Sequence, residues 1–170
     1  GGHGRFIVTD PERATGLASI MVEPSGPNRI IVFPGANAAI CSDDVESAML
    51  CRPDALFMQL EIAADAIIYA ARYAAERNIP IFIDAGPALP DFPFAKLPRL
   101  EVFSPNETET EAYTGIFPSS PEACLRAATA LSRMVDAHYY VIKLGGRGAY
   151  IYDGKYYFCL PAFDVKAVDT

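Results

Sequence analysis

The sequence predicts an α/β protein: a three-layer α/β/α sandwich from which a β-hairpin projects. The first observation is that short apolar strand segments alternate with helical segments after residue 40, which is typical of parallel strands with helices on both faces. The second is an earlier pair of apolar segments, 17–23 and 29–33, separated by turn residues, which favours a hairpin. The third is that 51% of the 170 residues are apolar, enough for one sizeable core.

The elements after the hairpin follow from local signals. Apolar segments bounded by turn residues predict strands at 54–60, 81–84, 99–104, 139–144, 149–152 and 155–160. Capping residues or a continuous apolar face predict helices at 42–50, 63–77, 106–114 and 120–135. Ser42 is expected to cap the first helix, and Ser120, followed by proline, caps the last. Asn78 before Pro80 ends the second helix, and Gly115 ends the third.

Composition argues against several functions. The formal net charge of −7 disfavours nucleic acid and anionic membranes as partners, because both need a basic surface. No apolar run approaches the roughly 20 residues of a membrane span, and we expect no signal peptide before the first strand. The four cysteines are scattered and form no Cys-x-x-Cys pair, so we expect reduced thiols in a cytoplasmic protein.

The segment Asn106-Glu-Thr-Glu109 has two interpretations. Asn at the N-cap and Glu three residues later form a capping box, in which each side chain accepts a hydrogen bond from a backbone N–H at the helix start. The segment also follows a strand at the carboxyl edge of an α/β sheet, where ligands bind. By spacing alone the capping interpretation is favoured, and the position at the sheet edge supports the ligand-binding one.

The segment Lys143-Leu-Gly-Gly-Arg-Gly148 is a strand followed by a glycine-rich turn. A plain hairpin explains it, because glycine adopts positive φ readily. Alternatively, the turn lets backbone N–H groups approach a phosphate. It is neither a Walker A loop nor a dinucleotide fingerprint, because no Gly-Lys-Ser/Thr ending and no following helix are present.

Four segments in this order, Gly26–Ile40, Ser104–Glu111, Lys143–Gly148 and Phe163–Thr170, resemble the ribokinase branch of the PfkB carbohydrate kinase family. The resemblance runs from about residue 15 to 170. It implies transfer of the ATP γ-phosphate to the primary hydroxyl of ribose. Another sugar or nucleoside kinase of the family is an alternative, and so is a non-catalytic binding or regulatory domain from a truncated gene.

The resemblance also assigns ligand-binding residues. Ala18, Ile20 and Val32 match the apolar lid positions that cover the sugar, and Glu61 matches a carboxylate that accepts hydrogen bonds from sugar hydroxyls. A solvated strand end is the alternative for Glu61. For the nucleotide, the resemblance implies Asn106, Lys143, Leu144, Gly145, Gly146, Arg147 and Gly148.

Metal and catalytic roles are implied in the same way. Glu109 matches the acid that holds Mg²⁺ through water, and Asp169 matches a ligand of a monovalent cation, K⁺. The catalytic base is expected beyond Thr170, so we expect residues 1–170 alone to be inactive.

The resemblance divides the chain into three parts. Residues 1–14 are a terminal segment, partly a cloning remnant; residues 15–36 are a β-hairpin lid; and residues 37–170 are an incomplete central α/β domain. A hairpin cannot bury both faces and both edges in a monomer, and a free strand edge invites pairing. We therefore expect a homodimer joined through the lid, with ribose and ATP as the other partners.

Overall fold

The computed structural model describes residues 4–22 and 28–165, and these form two sheets. In the smaller sheet, β1 (Leu17–Val22) pairs antiparallel with β2 (Asn28–Phe33). The larger sheet has six strands in chain order: β3 (Leu56–Met58), β4 (Ile81–Asp84), β5 (Leu100–Ser104), β6 (Ala137–Lys143), β7 (Ala149–Tyr152) and β8 (Tyr157–Leu160). Strands β3 to β6 are parallel, whereas β7 and β8 are antiparallel additions.

Four helices connect the strands: α1 (Ser42–Met49), α2 (Ala64–Ala75), α3 (Glu107–Thr114) and α4 (Pro121–Met134). Because the strand order follows the chain, right-handed crossovers put these connections on one face of the sheet. That face is the core: Ile81, Ile83, Phe103 and Ile142 are buried in one cluster with apolar residues of α2 and α4. Burial of each such side chain contributes about 1.5–3 kcal/mol.

The opposite face of the sheet carries apolar side chains that are more exposed. Phe57, Tyr139 and Phe158 lie there, and their exposed fractions are 69%, 43% and 55%. The predicted sheet and the separate hairpin are confirmed. The described residues provide one of the two expected helical layers, and the second layer stays a prediction.

The helix ends follow local capping chemistry, with one correction. Cys41, not Ser42, is the N-cap of α1, because the Cys41 backbone N–H donates to Asp44 Oδ2 at 3.0 Å and completes a capping box. The predictions for α3 and α4 are confirmed: Gly115 ends α3 at φ 71°, and Ala123 N donates to Ser120 Oγ at 3.2 Å. Cys41 was missed because its side chain is not a usual cap.

The hairpin is attached to the rest of the chain at its base. Gly35 has φ 52° and opens a 3₁₀ turn (Gly35–Ala39), in the Gly-Ala-Asn-Ala-Ala segment that the family resemblance picked out. Ala36 N donates to Ala14 O at 2.9 Å, so the chain entering β1 is tied to the chain leaving β2. A side chain at Gly35 would overlap the carbonyl oxygen of Ala14.

Within residues 4–22 and 28–165, no helix has both the length and the apolarity needed to cross a lipid bilayer.

Candidate functional site

Three parallel strands bring the site residues to one edge of the large sheet. The carboxyl ends of β4, β5 and β6 are neighbours, and they end at Asp84, Ser104 and Lys143. Just beyond them, Lys143 N donates to Pro105 O at 2.9 Å, so the start of the glycine turn lies beside the start of α3. The edge is therefore where two predicted motifs, separate in sequence, meet.

The capping box at α3 has the predicted geometry. Glu109 N donates to Asn106 Oδ1 at 2.8 Å, and Asn106 N donates to Glu109 Oε2 at 2.7 Å. The other carboxylate oxygen, Glu109 Oε1, faces Gly86, where an added methyl group would lie only 2.6 Å away. One carboxylate thus caps the helix with one oxygen and presents the other at the carboxyl edge of the sheet. The structural and the ligand-binding interpretations of this motif are compatible.

Helix α3 also fixes the loop that contains Gly86. Tyr113 Oη donates to Ala85 O at 2.8 Å, and Leu89 N donates to Tyr113 Oη at 3.1 Å. Burial, more than the nearby Glu109 carboxylate, raises the pKa of the Tyr113 phenol, which therefore stays a neutral donor. The space in front of Glu109 Oε1 is held open by a glycine whose loop is tied to α3.

Asp84 is a site residue that sequence reasoning missed. Its Oδ1 atom lies 2.6 Å from Lys143 Nζ, and it would lie 3.9 Å from a methyl group on Gly86. Asp84, Lys143 and Glu109 therefore converge on one small space. The available signal was a carboxylate at the end of a buried strand, the same pattern that singled out Glu61.

The donor set at this edge fits Mg²⁺ bound mainly by water and phosphate. Glu109 Oε1 is one carboxylate oxygen facing this space, and Mg²⁺ commonly takes one or two; the neighbouring Asp84 carboxylate is paired with Lys143. Among residues 4–22 and 28–165, no group of three or more Asp, Glu, His or Cys is arranged to hold a metal by protein ligands alone. Asp169, the predicted K⁺ ligand, lies outside the described residues.

The glycine turn is a 3₁₀ turn, Gly145–Arg147, between antiparallel strands. Leu144 is buried, and its N–H donates to Gly148 O at 2.8 Å. Gly148 has φ 91°, and a side chain there would overlap Leu160 O and the backbone that follows it. Leu144 therefore faces the core, and only the turn itself presents backbone to a ligand.

Arg147 is engaged within the protein. Its Nη2 atom lies 2.5 Å from Glu107 Oε1 and donates to Pro118 O at 2.8 Å, while its Nη1 donates to Ser119 O at 3.1 Å. Sequence reasoning missed Glu107, whose only signal was an acid in the first turn of a helix. These contacts attach the glycine turn to α3 and to the α3–α4 loop.

The predicted sugar residues lie in two parts of the fold, the hairpin and the bend after β3. Ala18 and Val32 are Cα partners on the hairpin, and Ile20 lies on the same face opposite Ile30. Glu61 is exposed in a bend after β3, so the predicted strand 54–60 was too long. Regular pairing of β3 with β4 is confined to Leu56–Met58, although Leu60 N still donates to Gly86 O at 2.9 Å beyond it. The three apolar residues thus share one face of the hairpin, whereas Glu61 belongs to a different part of the chain.

Comparison with known families decides the membership of this chain. Residues 4–170 match the family described as pfkB family carbohydrate kinase. The chain belongs to this PfkB family. It is 32% identical over 172 residues to a ribokinase of Mus musculus, covering 97% of the chain and 52% of that protein. It is 28% identical to a deoxyribokinase of Salmonella typhi, covering 97% of the chain and 54% of that protein.

A solved PfkB-family structure supports the same fold. A crystal structure of ribokinase from Thermotoga maritima matches with a TM-score of 0.69 and 30% identity, over 93% of this chain and 52% of that one. The ribokinase-like fold class is thereby confirmed. The chain spans about half the length of the curated relatives it matches.

One cavity of this PfkB chain lies away from the carboxyl edge. It has a volume of about 680 Å³ and lies between residues 6–13 and residues 36–48. None of the predicted site residues lines it. The predicted ligand-binding residues are therefore separate from the lining of this cavity.

Proposed function

We propose that these 170 residues are the lid and the central part of a longer ATP-dependent sugar kinase, with ribose as the preferred acceptor. The observation that carries the proposal is the position of Glu109 Oε1 over Gly86, beside the glycine turn, in a chain of the PfkB family. The reaction is transfer of the γ-phosphoryl group to the primary hydroxyl of the sugar. The protein contributes to this reaction by positioning the two substrates and by neutralising the charge of the phosphates.

The nucleotide is bound along the carboxyl edge. The N–H groups of Arg147 and Gly148 donate within the turn, to Leu144 O and Gly145 O. The backbone at Gly145 and Gly146 therefore faces the adenosine phosphates, because glycine leaves no side chain in the way. The side chains of Asn106 and Lys143 reach the same edge from the start of α3 and the end of β6. Leu144 and Arg147 act indirectly: the first is buried, and the second is hydrogen-bonded to the α3–α4 loop.

Glu109 holds the metal side of the site through its outward oxygen. A bound Mg²⁺ would supply positive charge to neutralise the phosphates. Glu109 contributes the carboxylate that orients the water shell of this ion, while its other oxygen keeps α3 capped. A K⁺ site at Asp169 and a catalytic base after Thr170 complete this proposal.

The sugar is covered by the hairpin. Ala18, Ile20 and Val32 form its apolar sugar-facing surface, and Glu61 accepts hydrogen bonds from the hydroxyls. Ribose and 2-deoxyribose differ by one hydroxyl, and relatives named for each resemble this chain at 32% and 28% identity. A site that hydrogen-bonds this hydroxyl rejects the sugar that lacks it, because its polar groups are left unpaired. We propose ribose because the relative named for it has the higher identity to this chain. We also propose that the enzyme is cytoplasmic.

A coupled assay that detects ADP tests the proposal. The longer protein is supplied with MgATP and, in turn, with ribose, 2-deoxyribose, fructose and adenosine. We expect the highest kcat/KM for ribose, with kcat of about 1–100 s⁻¹, and no turnover by residues 1–170 alone. Preference for another sugar would replace ribose in the proposal, whereas MgATP binding without phosphorylation of any of the four would indicate a binding domain.

A further inference from the structure

We infer that Asp84 is a positioning residue that holds the Lys143 ammonium over the carboxyl edge, where it faces the phosphates of a bound nucleotide. This inference rests on the proposed function. The sequence offers only a general signal for Asp84, a carboxylate at the end of a buried strand, and its place beside Lys143 comes from the fold.

The geometry gives Asp84 this role. Strands β4 and β6 lie on either side of β5, so the ion pair between Asp84 Oδ1 and Lys143 Nζ, at 2.6 Å, reaches across the end of the central strand. Both side chains are partly exposed, at 28% and 38%. An ion pair as exposed as this one contributes little to stability. The pair is therefore better explained by a role in ligand binding at this edge than by a contribution to stability.

Lys143 needs a partner to remain there. A lysine side chain has a flexible four-carbon stem and a compact charge, so without an acceptor the ammonium samples many positions. The backbone of Lys143 is fixed by pairing with β7 and by the hydrogen bond to Pro105 O. Asp84 fixes the other end of the side chain.

The charge balance at the edge makes this ammonium important. Asp84 Oδ1 and Glu109 Oε1 both lie near Gly86, so two carboxylates surround the same space. Without the ammonium they would repel a polyphosphate. With it, the ammonium paired with Asp84 offsets one of these two negative charges. The inference predicts that Asp84 acts on nucleotide binding through Lys143 and not on its own.

A double-mutant cycle tests this in the longer protein. The variants are Asp84→Asn, Lys143→Met and the two combined, with Asp84→Glu to restore the carboxylate. Asp54→Asn is the matched control, because it removes the same charge from an exposed position before β3, at the other edge of the sheet. For each variant, kcat, the KM values for ATP and ribose, and the Kd for MgADP by calorimetry are measured.

We expect Asp84→Asn to raise the KM for ATP and the Kd for MgADP about tenfold, with the KM for ribose unchanged. Asp84→Glu should recover most of this loss. In the Lys143→Met background, Asp84→Asn should add less than about twofold, because its partner is already absent.

Two outcomes would overturn the inference. One is an effect of Asp84→Asn on MgADP binding that is equally large with and without Lys143. The other is a loss in Asp84→Glu as large as that in Asp84→Asn. If no sugar is phosphorylated but MgADP binding shows the expected coupling, the proposed function fails and the inference on Asp84 stands. Absence of MgADP binding at millimolar concentration would overturn both.

Discussion

Arg147 Nη2 lies 2.5 Å from Glu107 Oε1, and this ion pair joins the glycine turn to the first residue of α3. The two residues belong to the two motifs proposed to bind the nucleotide. Because the same guanidinium also donates to two carbonyl oxygens before α4, it fixes the turn against both α3 and the α3–α4 loop. Arg147 therefore shapes the proposed nucleotide site through contacts within the protein, in which both of its Nη atoms are engaged.

The first prediction concerns this contact. Arg147→Met should lower the free energy of unfolding by about 1–2 kcal/mol, because it removes several charge-assisted hydrogen bonds. It should also raise the KM for ATP more than the KM for ribose. Arg126→Met, on the exposed face of α4, is the control. Urea unfolding and steady-state kinetics give both quantities, and equal behaviour of the two variants would contradict the prediction.

The second prediction separates Glu109 from Glu61. Glu109→Ala should lower kcat about 10–100-fold through the magnesium and phosphate groups, and it should barely change the KM for ribose. Glu61→Ala should mainly raise the KM for ribose. Glu109→Gln is the control for capping, because its amide oxygen can still accept from Asn106 N. The same kinetic defect in the Glu109→Ala and Glu61→Ala variants would mean that the division of roles is wrong.

The third prediction compares two glycines of one turn. Gly148 has φ 91° and faces the backbone of Leu160 and Ala162. Gly148→Ala should therefore lower the free energy of unfolding by about 1–3 kcal/mol or more. Among the described residues, nothing lies within 4 Å of a methyl group added to Gly146. Gly146→Ala should therefore change the free energy of unfolding by no more than about 0.5 kcal/mol in either direction. Thermal unfolding measures both, and similar losses would refute the distinction.

The fourth prediction concerns two buried tyrosines. Among the residues that the structure describes, Tyr150 Oη has no hydrogen-bond partner, and its burial raises the pKa of the phenol. Tyr140 Oη instead donates to Val135 O at 2.7 Å and accepts from Ala137 N at 3.1 Å. Tyr150→Phe should therefore be neutral or stabilising by up to about 1 kcal/mol, whereas Tyr140→Phe should destabilise by about 1–3 kcal/mol. Urea midpoints in the opposite order would contradict this.

The fifth prediction concerns the two faces of the hairpin. The register puts Ile20 and Ile30 on the proposed sugar face, and it puts Leu17 and Ile31 on the other face, where they are 63% and 48% exposed. We propose that this second face joins two copies into a symmetric dimer. Replacing Leu17 and Ile31 with Lys should give a monomer in sedimentation at micromolar concentration. Replacing Ile20 and Ile30 should instead raise the KM for ribose and leave the dimer intact. A monomeric unmodified protein would count against the proposal.

The sequence alone determined the features that depend on neighbours within about four residues. Asn106 and Glu109 form their capping box, Ser120 caps α4, and Gly115 ends α3 with positive φ, as the residue types predicted. Capping and turn preferences act over one helical turn, so they can be read directly. Cys41 was missed because the reciprocal partner, Asp44, decided the cap rather than the side chain of the cap itself.

The tertiary structure decided which of these local motifs act together. Asp84 and Lys143 are 59 residues apart, and Glu107 and Arg147 are 40 apart. Both contacts depend on the order in which β4, β5 and β6 lie side by side. The same holds for Gly86, whose missing side chain leaves room beside Glu109. Strand order is fixed by burial of one common sheet face under the helices, a property of the whole chain that no local segment contains.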